Sequence, residues 1–150
     1  MENTTEITQE VPTSDERLLA MFSHFSIFLG GIILPIIMYF VKKDKSKFVA
    51  FHALQSIFFH LMYLIIIFAL VFFLIIVMLL TGVFSIHHSH DLNHSGAGFF
   101  MGMIMFYMGI GASAILAISY GIYMGIKANE GGMKKYFLVG EWAYRKVYGR

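Results

Sequence analysis

The stretch LMYLIIIFALVFFLIIVMLL, residues 61–80, carries no charge and no strongly polar side chain. About 20 such residues in a helix reach about 30 Å, the thickness of a bilayer's hydrocarbon core. A soluble core helix of that length would show a polar stripe toward water, and none is present. This stretch therefore fixes the class: an all-α integral membrane protein.

The rest of the chain agrees. Hydrophobic residues make up 58% of the 150 positions and charged residues only 13%, about half of what a soluble domain uses to cover its surface. The surplus apolar surface calls for lipid. There are no cysteines, which excludes thiol catalysis and thiolate metal sites. A net charge of +2 is too small for nucleic-acid binding.

Working outward from residues 61–80, two further runs meet the length requirement. One covers residues 18–41, interrupted by Ser23, His24, Ser26 and Gly30-Gly31, with Pro35 expected to kink it. The other covers residues 98–126. The central run starts near Phe48 and is too long for one perpendicular crossing, so its amphipathic start, KFVAFHALQSIFFH, is expected along the interface. The expectation is a bundle of three transmembrane helices, at about 18–41, 57–82 and 98–126, behind an acidic segment at 1–17. A basic amphipathic tail follows at 127–150. In that tail Met133, Tyr136, Phe137, Gly140, Tyr144 and Val147 fall on one helical face, which predicts an interfacial helix.

Charge sets the expected orientation. Ten of the 11 Lys and Arg residues lie in the turn KKDKSK, which holds Lys43 and Asp44, or in the tail after Ile126. Five acids precede the first run. Cytoplasmic loops carry the excess of Lys and Arg, so three spans put the amino terminus outside and the tail in the cytoplasm. The start MENTTEITQEVPTS is acidic and has no apolar signal region, so a multi-pass protein of the cell's inner membrane is expected.

Helix packing has a candidate face in the third run. Gly109, Ser113, Ala117, Gly121 and Gly125 recur at every fourth position. Small residues at that spacing let backbones approach, which is what holds helices together in lipid. They predict packing within the chain, a homo-oligomer, or contacts with other membrane proteins.

Two sets of polar residues are candidate sites. His52, Ser56, His60 and Tyr63 share a face of the central run, with Gln55 beside them, and polar groups at membrane depth usually face a bundle interior. His24 is expected at a different depth, in the outer half of the first span. The connection SIHHSHDLNHSG holds His87, His88, His90 and His94, whose imidazoles could ligate a divalent transition metal. No H-E-x-x-H, G-x-S-x-G or P-loop is present and no carboxylate lies inside a span. The chain is not expected to be an enzyme or to need a cofactor.

The residues DERLLAMFSHFS from Asp15 and Arg17 through His24, then KKDKSKFVAFHALQS with Phe51-His52-Ala53, then Tyr136 to Gly140, resemble a widespread family of small bacterial membrane proteins. That family is similar to the Tic-twenty component of the plastid import machinery, and the magnetosome membrane protein MamF belongs to it. The resemblance implies a non-enzymatic scaffold, assembly factor or translocon-like component. The alternative from the residues alone is a metal or small-solute transporter or sensor using the His-rich connection.

Overall fold

The computed structural model describes residues 11–28, 31–88 and 92–149, with side chains between 81 and 99 excluded. Among these residues all regular structure is helical: α1 (Ser14–Phe25), α2 (Ile33–Lys42), α3 (Lys47–His88), α4 (Leu92–Asn129) and α5 (Gly140–Tyr148).

The run at 18–41 is not a span. It is two helices of 12 and 10 residues, about 18 and 15 Å long, and neither reaches across a 30 Å core. Two helices, at Lys47–Leu80 and Phe100–Asn129, are long and apolar enough to cross a membrane, so the expected three become two.

The break has local causes. The Ser26 hydroxyl donates to the Ser23 carbonyl at 2.8 Å, competing with continued helix. Gly31 then takes φ +65° while its N–H donates to the Ser26 carbonyl at 2.7 Å. This left-handed residue lies in the connection between α1 and α2, and glycine takes that conformation without a Cβ penalty. Pro35 is the third residue of α2, where the N–H has no intrahelical acceptor, so it starts the second helix rather than kinking a longer one.

The beginning of α1 is fixed by a capping box. The Thr13 hydroxyl accepts from the Glu16 N–H at 3.3 Å, and the Glu16 carboxylate accepts from the Thr13 N–H at 2.8 Å. A hydrogen bond from the Ser46 hydroxyl, the Thr13 N–H and the charge of Lys42 hold the Glu16 carboxyl below its ordinary value. The start of α1 thus meets the turn that follows α2. Pro12 and Arg17 also lie against Gly131, just beyond α4. Residues 12–17, the KKDKSK turn and the turn after α4 occupy one end of the same unit. A first crossing between the acidic start and that turn is overturned.

The chain forms two compact units, one of residues 1–58 with 121–150 and the other of residues 59–120. In the first, Ala20 of α1, Phe48 and Val49 of α3 and Ala128 of α4 make one core cluster. Phe51 and Leu54 of α3 with Ala143 of α5 make another, flanked by Tyr39 of α2. The start of α3 is therefore interior to the unit, where an interfacial position was expected: Val49, Phe51, His52 and Ala53 have no exposure. Close approach by α4 is visible at Gly125, where a Cβ would lie 2.5 Å from the Phe25 ring.

The second unit holds the apolar lengths of α3 and α4. None of residues 61–80 is buried, and Phe68 is 75% exposed. Ser113 satisfies its hydroxyl on the Ile110 carbonyl at 2.8 Å, a common solution for a hydroxyl in an apolar helix.

The tail is helical only from Gly140. Before it, residues 132–139 fold back irregularly, and Tyr136 is buried while its neighbour Phe137 is 89% exposed. The single helical face expected to hold both does not form.

Candidate functional site

The buried polar residues of the first unit converge. Ser23 and His24 in the last turn of α1, and His52, Gln55 and Ser56 in the first turns of α3, are all at most 1% exposed. His24 Nε2 lies 3.0 Å from His52 Nδ1. On its other side His24 Nδ1 faces the Ser56 hydroxyl at 2.9 Å and the Tyr136 hydroxyl at 3.1 Å. The two histidines expected at different depths are thus direct partners. The reason is that α1 ends at Phe25, beside the start of α3, instead of continuing as one long helix.

Gln55 fixes the proton positions. Its amide nitrogen donates to the Lys134 carbonyl at 3.1 Å, and its amide oxygen accepts from the Tyr136 N–H at 3.3 Å. With the amide so oriented, its second N–H points at His52 Nδ1, 3.1 Å away. That nitrogen must then be an acceptor, which makes His24 Nε2 a donor to it. Neutral His24 is left with Nδ1 as acceptor, facing the two hydroxyls. With both rings neutral and protonated on Nε2, each Nδ1 is an acceptor shared by two donors, Gln55 and His24 at His52 and the Ser56 and Tyr136 hydroxyls at His24. His52 Nε2 is buried and faces the Gly132 backbone without a well-formed hydrogen bond.

Packing holds the rings in these poses. The His52 ring sits edge-on to Phe48 and Phe51, with centroids at 4.6 and 4.9 Å. His24 is edge-on to His52 at 5.2 Å and to Tyr136 at 5.4 Å. Gly121 of α4 closes the cluster: a Cβ there would be 3.6 Å from the His24 carbonyl and 4.0 Å from the Tyr136 hydroxyl.

Chemically, the cluster ties α1 and α3 to the segment after α4. Ser56 and His24 have the separation of a nucleophile and base, but both are buried, so the hydroxyl faces protein. Among the described residues no group of three His, Asp or Glu side chains could hold a metal ion. The side chains of His87, His88, His90 and His94, where a metal was expected, lie outside the described residues.

The other expected positions divide. Phe51 is buried beside His52. Asp15, Lys43 and Asp44 are exposed, Lys43 over the Phe40 ring at 5.7 Å, and the Arg17 side chain packs at Gly131. His60 lies further along α3 in the second unit. Of the small-residue stripe, Gly121 and Gly125 make close contacts in the first unit, whereas Gly109 has nothing within 4 Å of its Cβ position. Tyr136 is the member of the cluster that sequence reasoning did not select. It reaches His24 across 112 positions, a distance no local pattern spans.

No curated protein matches the chain, and no solved structure does. The model of the magnetosome magnetite crystal formation protein family matches residues 15–143, a stretch that holds every residue of the buried cluster, and the chain belongs to that family.

Proposed function

We propose that this protein is a non-enzymatic scaffold or assembly element of a membrane, crossing it twice through α3 and α4 and recruiting other membrane proteins or further copies of itself. The observation that carries this reading is the unused surface of α4. Gly102 and Gly109, seven residues apart on one face, have open space where a Cβ would stand, and the large side chains around them, Met105 and Met108, are 69% and 68% exposed. Lipid provides no hydrophobic drive for pairing, so small residues left open beside exposed apolar ones suit a second helix.

Two crossings place the acidic start, the KKDKSK turn and the tail on one side. That side then holds all 11 Lys and Arg residues, which by the positive-inside rule is the cytoplasm. The family's description names magnetite crystal formation. In this chain we read that role as organising the membrane rather than as chemistry on the mineral. Two helices cannot enclose a path, so a translocon-like role, as the Tic-twenty resemblance implies, would need several copies.

The cysteine-free chain allows a direct test. Gly109→Cys and, on the opposite face, Tyr107→Cys would be introduced singly and oxidised in native membranes. Covalent dimers or adducts with other membrane proteins from Gly109→Cys, and none from Tyr107→Cys, are the expected result. Absence of crosslinks at both positions would remove the scaffold reading.

A further inference from the structure

Along one side of the first unit, α2, α3 and α5 leave an open groove of about 580 Å³ lined by Tyr39, Leu54, Phe58, Trp142, Arg145 and Lys146. We propose that this groove seats one anionic phospholipid, with its phosphate at Arg145 and Lys146 and an acyl chain along Leu54, Phe58 and Trp142. This does not depend on whether α3 and α4 pair with other chains.

The groove is graded from apolar to cationic. Helix α5 docks antiparallel to α3: Trp142 meets Phe58, at 6.3 Å between centroids, while Tyr144 and Tyr148 meet Phe51, at 5.9 and 6.4 Å. Lys47, at the first turn of α3, stands over the Tyr148 ring at 5.8 Å. Along α3, Phe58 is therefore at the buried-membrane end and Phe51 toward the charged end, about 10 Å apart. Arg145 and Lys146 come one turn after Trp142 on the same face of α5, so they sit at the charged end of the groove. A lipid has the same polarity over the same length.

The charge also fits. Arg145 Nε contacts Glu141 at 3.3 Å, but Glu141 is shared with Lys135 at 2.8 Å, and Lys146 has no ion pair among the described residues. Three cations against one carboxylate leave a positive excess beside an apolar wall. Trp142, 70% exposed, has the amphipathic ring that favours the headgroup level.

The test uses the full chain purified in a neutral detergent, with melting followed during titration by dioleoyl phosphatidylglycerol, dioleoyl phosphatidylcholine or inorganic phosphate. Stabilisation by the phosphatidylglycerol alone is expected. Arg145→Gln with Lys146→Gln should weaken that response about tenfold, since each cation near an anionic lipid contributes modestly. Lys43→Gln with Lys45→Gln removes the same charge outside the groove and should leave the response intact. Equal stabilisation by both lipids, an equal loss in the two charge variants, or an equal response to inorganic phosphate would each overturn the proposal. Should the Arg145/Lys146 variant melt differently without lipid, Trp142→Ala decides: retained selectivity for the anionic lipid at full affinity overturns the seat, and weakened binding supports it.

Discussion

His24 Nε2 donates to His52 Nδ1 across 3.0 Å, with both rings buried between α1 and α3. This contact joins the end of a helix too short to cross a membrane to the start of one long and apolar enough to do so. It continues through Gln55 and the Tyr136 hydroxyl to the segment that follows α4. One polar cluster therefore closes the first unit from three directions.

Removing either ring should leave buried partners unsatisfied. His24→Leu and His52→Leu should each lower stability by about 2 kcal/mol. The double variant should lose less than the two together, with a coupling of about 1 kcal/mol, because one interaction is counted in both single variants. Unfolding of the detergent-purified protein measures this, and strict additivity would mean that the rings act independently. Tyr136→Phe deletes one hydroxyl and should cost about 1 kcal/mol.

What could be read from the residues depended on how local the cause was. Residues 61–80 announce a membrane helix because hydrocarbon demands an unbroken apolar length, and that demand is written into every position. The run at 18–41 passed the same length test, yet Ser23, His24 and Ser26 were the sign against it. Three polar groups within four residues are costly to leave in lipid, and the structure uses all of them in hydrogen bonds. The polarity of His52, Gln55 and Ser56 was legible, but their partners were not. His24 arrives from 28 residues before His52, across a turn at Gly31 that hydropathy does not register, and Tyr136 from 81 residues after Gln55, beyond the end of α4.

Close approach by α4 gives a prediction that separates the two ends of the small-residue stripe. Gly125→Ala places a methyl 2.5 Å from the Phe25 ring and 3.4 Å from the Met21 carbonyl, so the ring or the helix that carries it must shift, at a cost of about 1–3 kcal/mol. Gly109→Ala meets nothing within 4 Å and should leave the melting temperature of the isolated chain unchanged. Equal destabilisation by both would place Gly109 in a contact within the chain.

The two proposed crossings make a topological prediction. Ser14→Cys, Lys45→Cys and Glu141→Cys, each in the cysteine-free chain, should react with a membrane-impermeant maleimide from the same side of sealed vesicles. Labelling of Ser14→Cys from the opposite side to Lys45→Cys would restore a crossing between α1 and α3, and with it the three-span arrangement.

Glu16 supplies a pH dependence whose sign follows from its surroundings. The Ser46 hydroxyl, the Thr13 N–H and Lys42 all favour the ionised carboxylate, so its folded value lies below the ordinary 4.5. A carboxyl shifted downward binds its proton more readily in the unfolded chain. Its contribution is thus complete above about pH 5, starts to fade near 4.5, and is lost as the pH falls through the folded value. Melting temperatures from pH 7 to 3.5 should show a drop in acid that is smaller in Glu16→Gln than in the wild type. The variant should also melt lower at pH 7, because the amide cannot match the charged carboxylate in the capping box. Thr13→Ala removes the other half of that box and should cost about 1 kcal/mol at pH 7, with a reduced acid drop remaining because the Ser46, Thr13 N–H and Lys42 contacts to the carboxylate stay. An acid profile identical in wild type and Glu16→Gln would show that the carboxylate gains nothing from Ser46 and Lys42 on folding.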